Sequence, residues 1–149
     1  MRLLNTDEWP REMTERGTGC RTLVVEDDAD SREAIIKTLG LYGYEADGAG
    51  TFLEGVAKLN SKVQWLILDL RLPDGDGASL LRYIRQHDLP VKVAVVTGAG
   101  EGAMLAEAVL LKPEAFFTKP VEFADVATWI ASGDNFGGDN GFERVHAPM

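Results

Sequence analysis

Cysteine and histidine are almost absent from the sequence: Cys20 is the single cysteine, and there are two histidines. One cysteine excludes an internal disulfide and suits a reducing compartment, so we expect a cytoplasmic protein. Long apolar runs are also missing, which argues against a membrane span, and the N-terminus lacks the apolar core of a signal peptide. Positive charge is scarce, with 15 basic against 24 acidic residues and a net charge of −9. Such an acidic chain repels phosphate backbones, so direct nucleic-acid binding is not expected.

The sequence contains enough apolar material for one globular domain. Its 149 residues, 45% of them hydrophobic, can bury a core without disulfide staples. Residues 1–20 are polar and aperiodic, so we interpret them as a flexible N-terminal extension. We assign the domain to residues 21–131 and interpret residues 132–149 as a glycine-rich flexible tail. That tail is too short for a DNA-binding or enzymatic domain, so we expect output through a partner protein.

The stretch from Trp65 to Leu68 is a continuous apolar run, typical of a strand covered on both faces. It ends on Asp69, and Pro73 and Gly75 then force the chain to turn. Open α/β sheets bind ligands at the carboxyl ends of their strands, which makes Asp69 a candidate site residue. The alternative is that Asp69 only begins the turn.

Strands and helices alternate five times along the domain. The other predicted strands are Thr22–Val25, Tyr44–Asp47, Val91–Val96 and Phe116–Thr118. The predicted helices are Asp30–Tyr42, Thr51–Leu59, Ala78–Gln86, Glu101–Leu111 and Val121–Ala131. Asp30 is the predicted N-cap of the first helix, and Tyr42 is expected on its buried face. The alternation predicts an α/β fold, a doubly wound five-stranded parallel sheet with helices on both faces.

The distinctive polar residues all follow predicted strands: Glu26, Asp27, Asp69, Thr97 and Lys119. Three carboxylates that converge repel one another unless a divalent metal lies between them, and oxygen ligands suit Mg²⁺ or Mn²⁺. A carboxylate can also attack phosphorus and form an aspartyl phosphate. The lysine and the hydroxyl would then hold the transferred phosphoryl group.

Four segments resemble motifs of the receiver domain of two-component response regulators, over about residues 21 to 131. Val-Val-Glu-Asp-Asp at 24–28 resembles the acidic motif, and Leu-Asp-Leu-Arg-Leu-Pro-Asp-Gly at 68–75 the phosphoacceptor segment. Val-Val-Thr-Gly at 95–98 resembles the switch-hydroxyl motif, and Phe-Phe-Thr-Lys-Pro at 116–120 the lysine motif. The likeness to stand-alone chemotaxis regulators implies a flavodoxin-like sheet with strand order 2-1-3-4-5.

The resemblance also implies a role for each site residue. Asp69 is the phosphoacceptor, and Asp27 of the acid pair binds the metal directly. Glu26, Asp69 and the Arg71 backbone carbonyl are the other implied metal ligands. The resemblance also places Thr97 and Lys119 at the phosphoryl group and makes Thr97 and Phe116 the switch residues. It further implies a cis Lys119–Pro120 bond and a turn or cap role for Asp28.

The sequence departs from the receiver pattern at a few positions. Lys112 and Pro113 stand where a glycine usually closes the fourth helix, and the proline is expected to push Lys112 toward extended geometry. Phe116 lacks a hydroxyl, so it can rotate but cannot hydrogen-bond. Ala99 leaves the phosphoryl site sparsely covered, while Arg71 is expected to cover part of it.

Other motifs compete with this interpretation. Residues 98–103 match a dinucleotide-binding pattern, but they follow the fourth strand and no acid ends the next one. Residues 74–85 suggest a calcium loop, yet Arg85 replaces its final glutamate. An aspartyl phosphatase would need a second aspartate where Arg71 stands. Solvated or packing roles are expected for Trp9, Cys20, Trp65, His87, Trp129 and His146.

Two functions remain open from the sequence. The first is a phosphorylatable receiver that takes a phosphoryl group from a histidine kinase or phosphotransfer protein on Asp69, with self-catalysed phosphorylation and dephosphorylation but no separate substrate turnover. The second is a pseudo-receiver, a protein-binding module independent of phosphorylation. In the first case we expect output to a partner or homodimer through the fourth helix, fifth strand and fifth helix, where the many apolar residues of the fourth helix exceed one inward stripe.

Overall fold

The computed structural model describes residues 21–60, 62–98 and 100–136, with side chains as far as Gly133. The predictions for residues 1–20, including Trp9 and Cys20, lie outside these residues. So do those for Ala99, for His146 and for the tail from residue 137 onward. None of the described helices combines the length and hydrophobicity needed to cross a membrane.

Five parallel strands form the sheet, in the order β2-β1-β3-β4-β5. This confirms the predicted doubly wound topology. The strands are β1 (Arg21–Val25), β2 (Glu45–Ala49), β3 (Val63–Asp69), β4 (Lys92–Thr97) and β5 (Ala115–Thr118). The helices are α1 (Ala29–Leu41), α2 (Phe52–Lys58), α3 (Gly77–Gln86), α4 (Gly102–Leu110) and α5 (Phe123–Phe136). A short antiparallel ribbon pairs Arg71–Leu72 with Gly75–Asp76 after β3.

Two hydrophobic clusters cover the two faces of the sheet. Successive residues of a strand point to opposite faces, so Leu66 and Leu68 enter one cluster while Ile67 enters the other. The first cluster includes Leu80, Leu81, Ile84 and Ala108 from α3 and α4. The second includes Ile35, Leu39, Val126, Trp129 and Ile130 from α1 and α5. The central strands are therefore covered on both sides, as their apolar runs predict.

Helix α1 begins differently from its prediction. Asp28 is the N-cap, and its carboxylate accepts a hydrogen bond from the Ser31 N–H at 2.8 Å. Asp30 lies in the first turn, so its assignment as the cap is wrong. Tyr42 is 53% exposed at the end of the helix, and its predicted burial is also wrong. Gly43 follows with a φ of +90°, the left-handed geometry expected of a helix-ending glycine.

The loop between α4 and β5 and the last helix show two further departures. Lys112 has a φ of +54°, so it adopts the left-handed conformation in place of the usual glycine, and its predicted extended geometry is wrong. Helix α5 continues past Ala131 to Phe136. A Cβ atom on Gly133 would overlap the ring of Trp65, so this glycine lets the helix pass over the tryptophan.

Candidate functional site

Three carboxylates meet at the carboxyl edge of the sheet. Strands β1 and β3 are in register with Val25 beside Leu68, which brings Glu26 and Asp27 next to Asp69. Oxygen atoms of the three side chains lie within 4.8 Å of one another. Glu26 and Asp69 are 6% and 2% exposed, whereas Asp27 is open to solvent. The sequence-predicted acids therefore form one cluster with a buried base and an exposed rim.

Lys119 is the cation of this cluster. It follows β5, and its backbone N–H donates to the Thr97 carbonyl at 2.9 Å. Its Nζ donates to Asp69 Oδ2 at 3.1 Å and lies 4.0 Å from Glu26 Oε1. Burial lowers the pKa of Lys119, but its hydrogen bond to Asp69 and the charges of Asp69 and Glu26 outweigh burial and raise it. Lys119 is therefore held protonated against Asp69, and its bond to Pro120 is cis, as predicted.

Glu26 is the strongly perturbed acid. Burial is the main cause that raises the pKa of Glu26 to about 7, and the neighbouring Asp69 carboxylate adds to the effect. The Asp28 N–H, which donates to Glu26 Oε2 at 3.1 Å, and the Lys119 charge act in the opposite direction. Glu26 therefore binds a proton near neutral pH mainly because its carboxyl is buried, with the Asp69 charge as a smaller cause.

The cluster has the donor set of a hard divalent cation. Three carboxylates face one ammonium group, which leaves an excess of negative charge that a divalent ion would balance. All three donors are oxygen atoms, with no sulfur or imidazole among them, and oxygen donors favour Mg²⁺ over zinc or copper. Glu26, Asp27 and Asp69 therefore fit the metal that the sequence predicts.

The segment after Asp69 is packed tightly against the site. The Arg71 N–H donates to Asp69 Oδ1 at 3.3 Å, so both carboxylate oxygens have a donor. A Cβ atom on Gly77 would collide with the Asp69 carbonyl, so glycine is needed where α3 starts. The sequence shows Gly77 only as part of a turn, because the close approach depends on the tertiary fold. The role of the Arg71 carbonyl stays a prediction.

Asp74 and Asp76 serve as helix caps in the fold. Asp74 accepts hydrogen bonds from the Phe52 N–H at 2.7 Å and the Leu53 N–H at 3.1 Å, at the start of α2. The bond from Phe52 is the main cause that lowers the pKa of Asp74. Asp76 caps α3 by accepting from the Ser79 N–H. These contacts explain both acids without a calcium loop.

Thr97 is buried, and its hydroxyl is bonded to a residue that sequence reasoning missed. The hydroxyl donates to Glu101 Oε1 at 3.2 Å, and the Gly98 N–H donates to the same oxygen at 2.9 Å. Arg71 Nε lies 3.6 Å from Glu101 Oε2. From the sequence, Glu101 is only the start of the fourth helix. Its position four residues after Thr97 was the available signal, but it could not be distinguished from ordinary helix chemistry.

A cleft of about 390 Å³ opens beside the acids. It is lined by Glu26, Asp27 and Lys119 together with residues of α1, of β4 and of the segment from β5 into α5. Several lining residues are apolar: Ile35, Val96, Pro120, Val121 and Phe123. Glu26, Asp27 and Lys119 can therefore be reached from solvent by a group larger than water.

Phe116 lies apart from the charged cluster. It is half-buried on β5 and packs against the core cluster formed with α3 and α4. Val109 and Leu110 of α4 are 51% and 78% exposed. The excess of apolar residues in this helix thus leaves some of them on the surface.

Comparison with known proteins identifies the family of this fold. A family profile described as the response regulator receiver domain matches residues 22–131. This chain belongs to the receiver family of response regulators. It is 30% identical over 130 residues to the chemotaxis protein CheY of Treponema pallidum (strain Nichols), an alignment that covers 85% of this chain and 90% of that protein.

Two further comparisons define the extent of the family match. The chain is 32% identical over 113 residues to response regulator protein PilR of Pseudomonas aeruginosa, and the alignment covers 75% of this chain but 25% of PilR. The CheY-like receiver domain protein of Methanospirillum hungatei superposes with a TM-score of 0.72 at 27% identity, covering 78% of this chain and 94% of that one. The receiver domain is thus the part that this chain shares with its larger relatives.

Proposed function

We propose that this receiver accepts a phosphoryl group on Asp69 from a phosphohistidine of a histidine kinase or phosphotransfer protein. The observation that carries the proposal is the environment of Asp69. Its buried carboxylate lies 3.1 Å from Lys119 Nζ and within 4.8 Å of the Glu26 and Asp27 oxygens. A pseudo-receiver would not need this combination of acids and lysine.

The chemistry follows from the groups at the site. An Asp69 oxygen attacks phosphorus, the donor's phosphorus–nitrogen bond breaks, and the leaving imidazole retains that electron pair and takes up a proton. Lys119 neutralises charge beside the acceptor oxygen, and the Thr97 hydroxyl is a donor for the phosphoryl oxygens. A Mg²⁺ ion held by Glu26, Asp27 and Asp69 would supply the remaining charge neutralisation. Self-catalysed hydrolysis would later release phosphate and restore Asp69.

The cleft beside the acids suits a macromolecular phosphoryl donor. Its apolar lining includes Ile35 of α1 and Phe123 of α5, beside Glu26, Asp27 and Lys119. Asp69 does not line the cleft but lies 3.1 Å from Lys119 Nζ, so a donor protein that contacts the apolar lining would bring its imidazole close to Asp69. This arrangement supports a protein donor in addition to small phosphorylated molecules.

Phosphorylation by acetyl phosphate tests the proposal. Wild-type protein with Mg²⁺ should gain one phosphoryl group by intact-mass spectrometry, and Asp69→Asn should gain none. Asp47→Asn is the matched control, because Asp47 is an exposed aspartate paired with Lys58 and should be phosphorylated like wild type. Equal phosphate on wild type and Asp69→Asn would refute the assignment and favour the pseudo-receiver.

We further propose output through the surface of α4, β5 and α5 to a partner protein or a second copy. The exposed Val109 and Leu110 lie on this surface, and the half-buried Phe116 lies beneath it. Movement of Thr97 toward the phosphoryl group would allow Phe116 to follow and change the surface. Hydrogen exchange with beryllofluoride should alter protection in described residues between 98 and 118; a change confined to α2 and α3 would contradict this surface.

A further inference from the structure

Glu101 is a buried carboxylate that the proposed phosphoryl transfer does not use. Its side chain is 4% exposed where α4 begins, and it makes no capping hydrogen bond to that helix. A buried charge is costly unless hydrogen bonds or an opposite charge compensate it. The partners of Glu101 are therefore the feature that needs an explanation.

Those partners are the donors on one side of the proposed phosphoryl site. Oε1 accepts from the Thr97 hydroxyl and the Gly98 N–H, and Oε2 lies 3.6 Å from Arg71 Nε. A Cβ atom on Gly98 would lie 3.4 Å from Lys119 Cδ and 3.6 Å from Glu101 Oε2. The Lys119 side chain and the Glu101 carboxylate therefore both lie close to Gly98, which places Glu101 beside the site.

We infer that Glu101 is a positioning residue for Thr97, whose carboxylate holds the hydroxyl and the Gly98 N–H until a phosphoryl group on Asp69 displaces it. The inference rests on the proposed phosphorylation of Asp69. A hydroxyl has one proton, so Thr97 can donate to Glu101 or to the phosphoryl group but not fully to both. Both acceptors are anionic, so the phosphoryl group also repels Glu101. The Thr97 hydroxyl is therefore exchanged between two competing anions.

Glu101→Gln separates charge from shape. Glutamine has the same size and keeps an oxygen that accepts from Thr97 and Gly98, but it lacks the negative charge. Charge-assisted hydrogen bonds are about twice as strong as neutral ones, so the variant should release Thr97 more easily. With Mg²⁺ present, the beryllofluoride concentration at half-saturation, followed by fluorine NMR, should fall about five- to tenfold.

A double-mutant comparison tests whether Glu101 acts through Thr97. In a Thr97→Ala background, Glu101→Gln should lower the half-saturation concentration clearly less than it does in wild type, because the hydroxyl for which the two anions compete is gone and only their direct repulsion and the Gly98 N–H remain. Glu107→Gln is the matched control, because it removes the same charge from a partly exposed residue of α4 paired with Arg82. It should bind beryllofluoride like wild type.

An unmodified chain provides a second measurement that does not depend on how the variant folds. Saturation of wild-type protein with beryllofluoride should shift the side-chain carboxyl carbon resonance of Glu101. A resonance that stays fixed, an unchanged or weaker affinity in Glu101→Gln, or an equal gain in the Thr97→Ala background would overturn the inference. If wild type binds no beryllofluoride at all, the proposed function itself fails. If wild type binds beryllofluoride and Glu101→Gln binds it with the same affinity, only the inference about Glu101 fails.

Discussion

The buried residues near the two ends of β3 have very different neighbours. Near the amino end, Trp65 is 4% exposed and meets the edge of Trp129 at a ring-centroid distance of 4.9 Å. The Lys92 ammonium lies 5.6 Å from the Trp65 ring centre. At the carboxyl end, Asp69 is 2% exposed and shares its surroundings with two other carboxylates and one lysine.

This contrast separates stability from chemistry along a single strand. The aromatic end gains free energy from apolar burial and edge-to-face ring contact. The acidic end buries carboxylates beside one another, and burial together with the Asp69 charge raises the pKa of Glu26. Sites that bind ions are commonly less stable than their surroundings, so the aromatic end has to supply part of the stability on which the acidic end depends.

The largest effect should come from breaking the aromatic end. Trp129→Ala removes a fully buried ring and its contacts with Trp65 and Phe117, and it should lower the free energy of unfolding by about 3–5 kcal/mol. Urea denaturation measures this loss, with Leu41→Ala as a control at a residue that is 86% exposed. The control should lie within about 0.5 kcal/mol of wild type. An equally small loss for Trp129→Ala would mean that the aromatic end does not stabilise the fold.

A second test separates metal binding from phosphoryl sensing at the acidic end. Asp27→Ala should weaken Mg²⁺ binding about tenfold or more, because one of three clustered carboxylates is lost. Thr97→Ala should leave the affinity within about twofold, since a hydroxyl bonded to Glu101 is not among those oxygens.

Calorimetric titration distinguishes these outcomes. Asp30→Ala is the charge control, because it removes an exposed acid from the nearby first turn of α1 without touching the cluster. Its affinity should match wild type. Loss of Mg²⁺ in Thr97→Ala together with retention in Asp27→Ala would reverse the proposed roles.

Much of this site could be predicted because parallel strands bring their carboxyl ends together. Asp69, Lys119 and the acid pair were found from that rule alone, and Asp28 was correctly expected to turn or cap the chain. The left-handed Lys112 was not predicted, because a local rule about the residue before proline was overridden by the loop. Glu101 and Asp74 were missed for another reason. Their partners lie in loops or helices whose relative positions only the folded chain defines.

The third test concerns how Mg²⁺ affinity and folding stability depend on pH. The metal-free pKa of Glu26 is about 7, and Mg²⁺ favours the ionised carboxylate. Affinity should therefore rise by up to about tenfold per pH unit below 7 and level off above it. The pH dependence of folding stability without metal has the opposite direction. The raised pKa of Glu26 contributes stability that is present below pH 4.5 and is lost as pH rises through about 7.

Glu26→Gln provides the control for this proton linkage. Glutamine cannot ionise, so both pH dependences should flatten while the side-chain size is kept. Calorimetry in buffers of different ionisation enthalpy should also detect about one proton released on Mg²⁺ binding near pH 6 in wild type and fewer in the variant. A wild-type affinity that is constant between about pH 5.5 and 8 would show that Glu26 is already ionised throughout that range.

The smallest effect concerns a flaw in the otherwise apolar end of the sheet. The Thr22 hydroxyl, on the β1 residue paired with Trp65, is fully buried and has no hydrogen-bond partner among the described residues. Thr22→Val keeps the β-branched shape and removes the unsatisfied group, so the free energy of unfolding should rise by about 1 kcal/mol. Thr118→Val, at an exposed position of β5, should change it by less than about 0.5 kcal/mol. Destabilisation by Thr22→Val would instead show that the hydroxyl is hydrogen-bonded in solution, and that the two ends of the sheet are less different in polarity than their neighbours indicate.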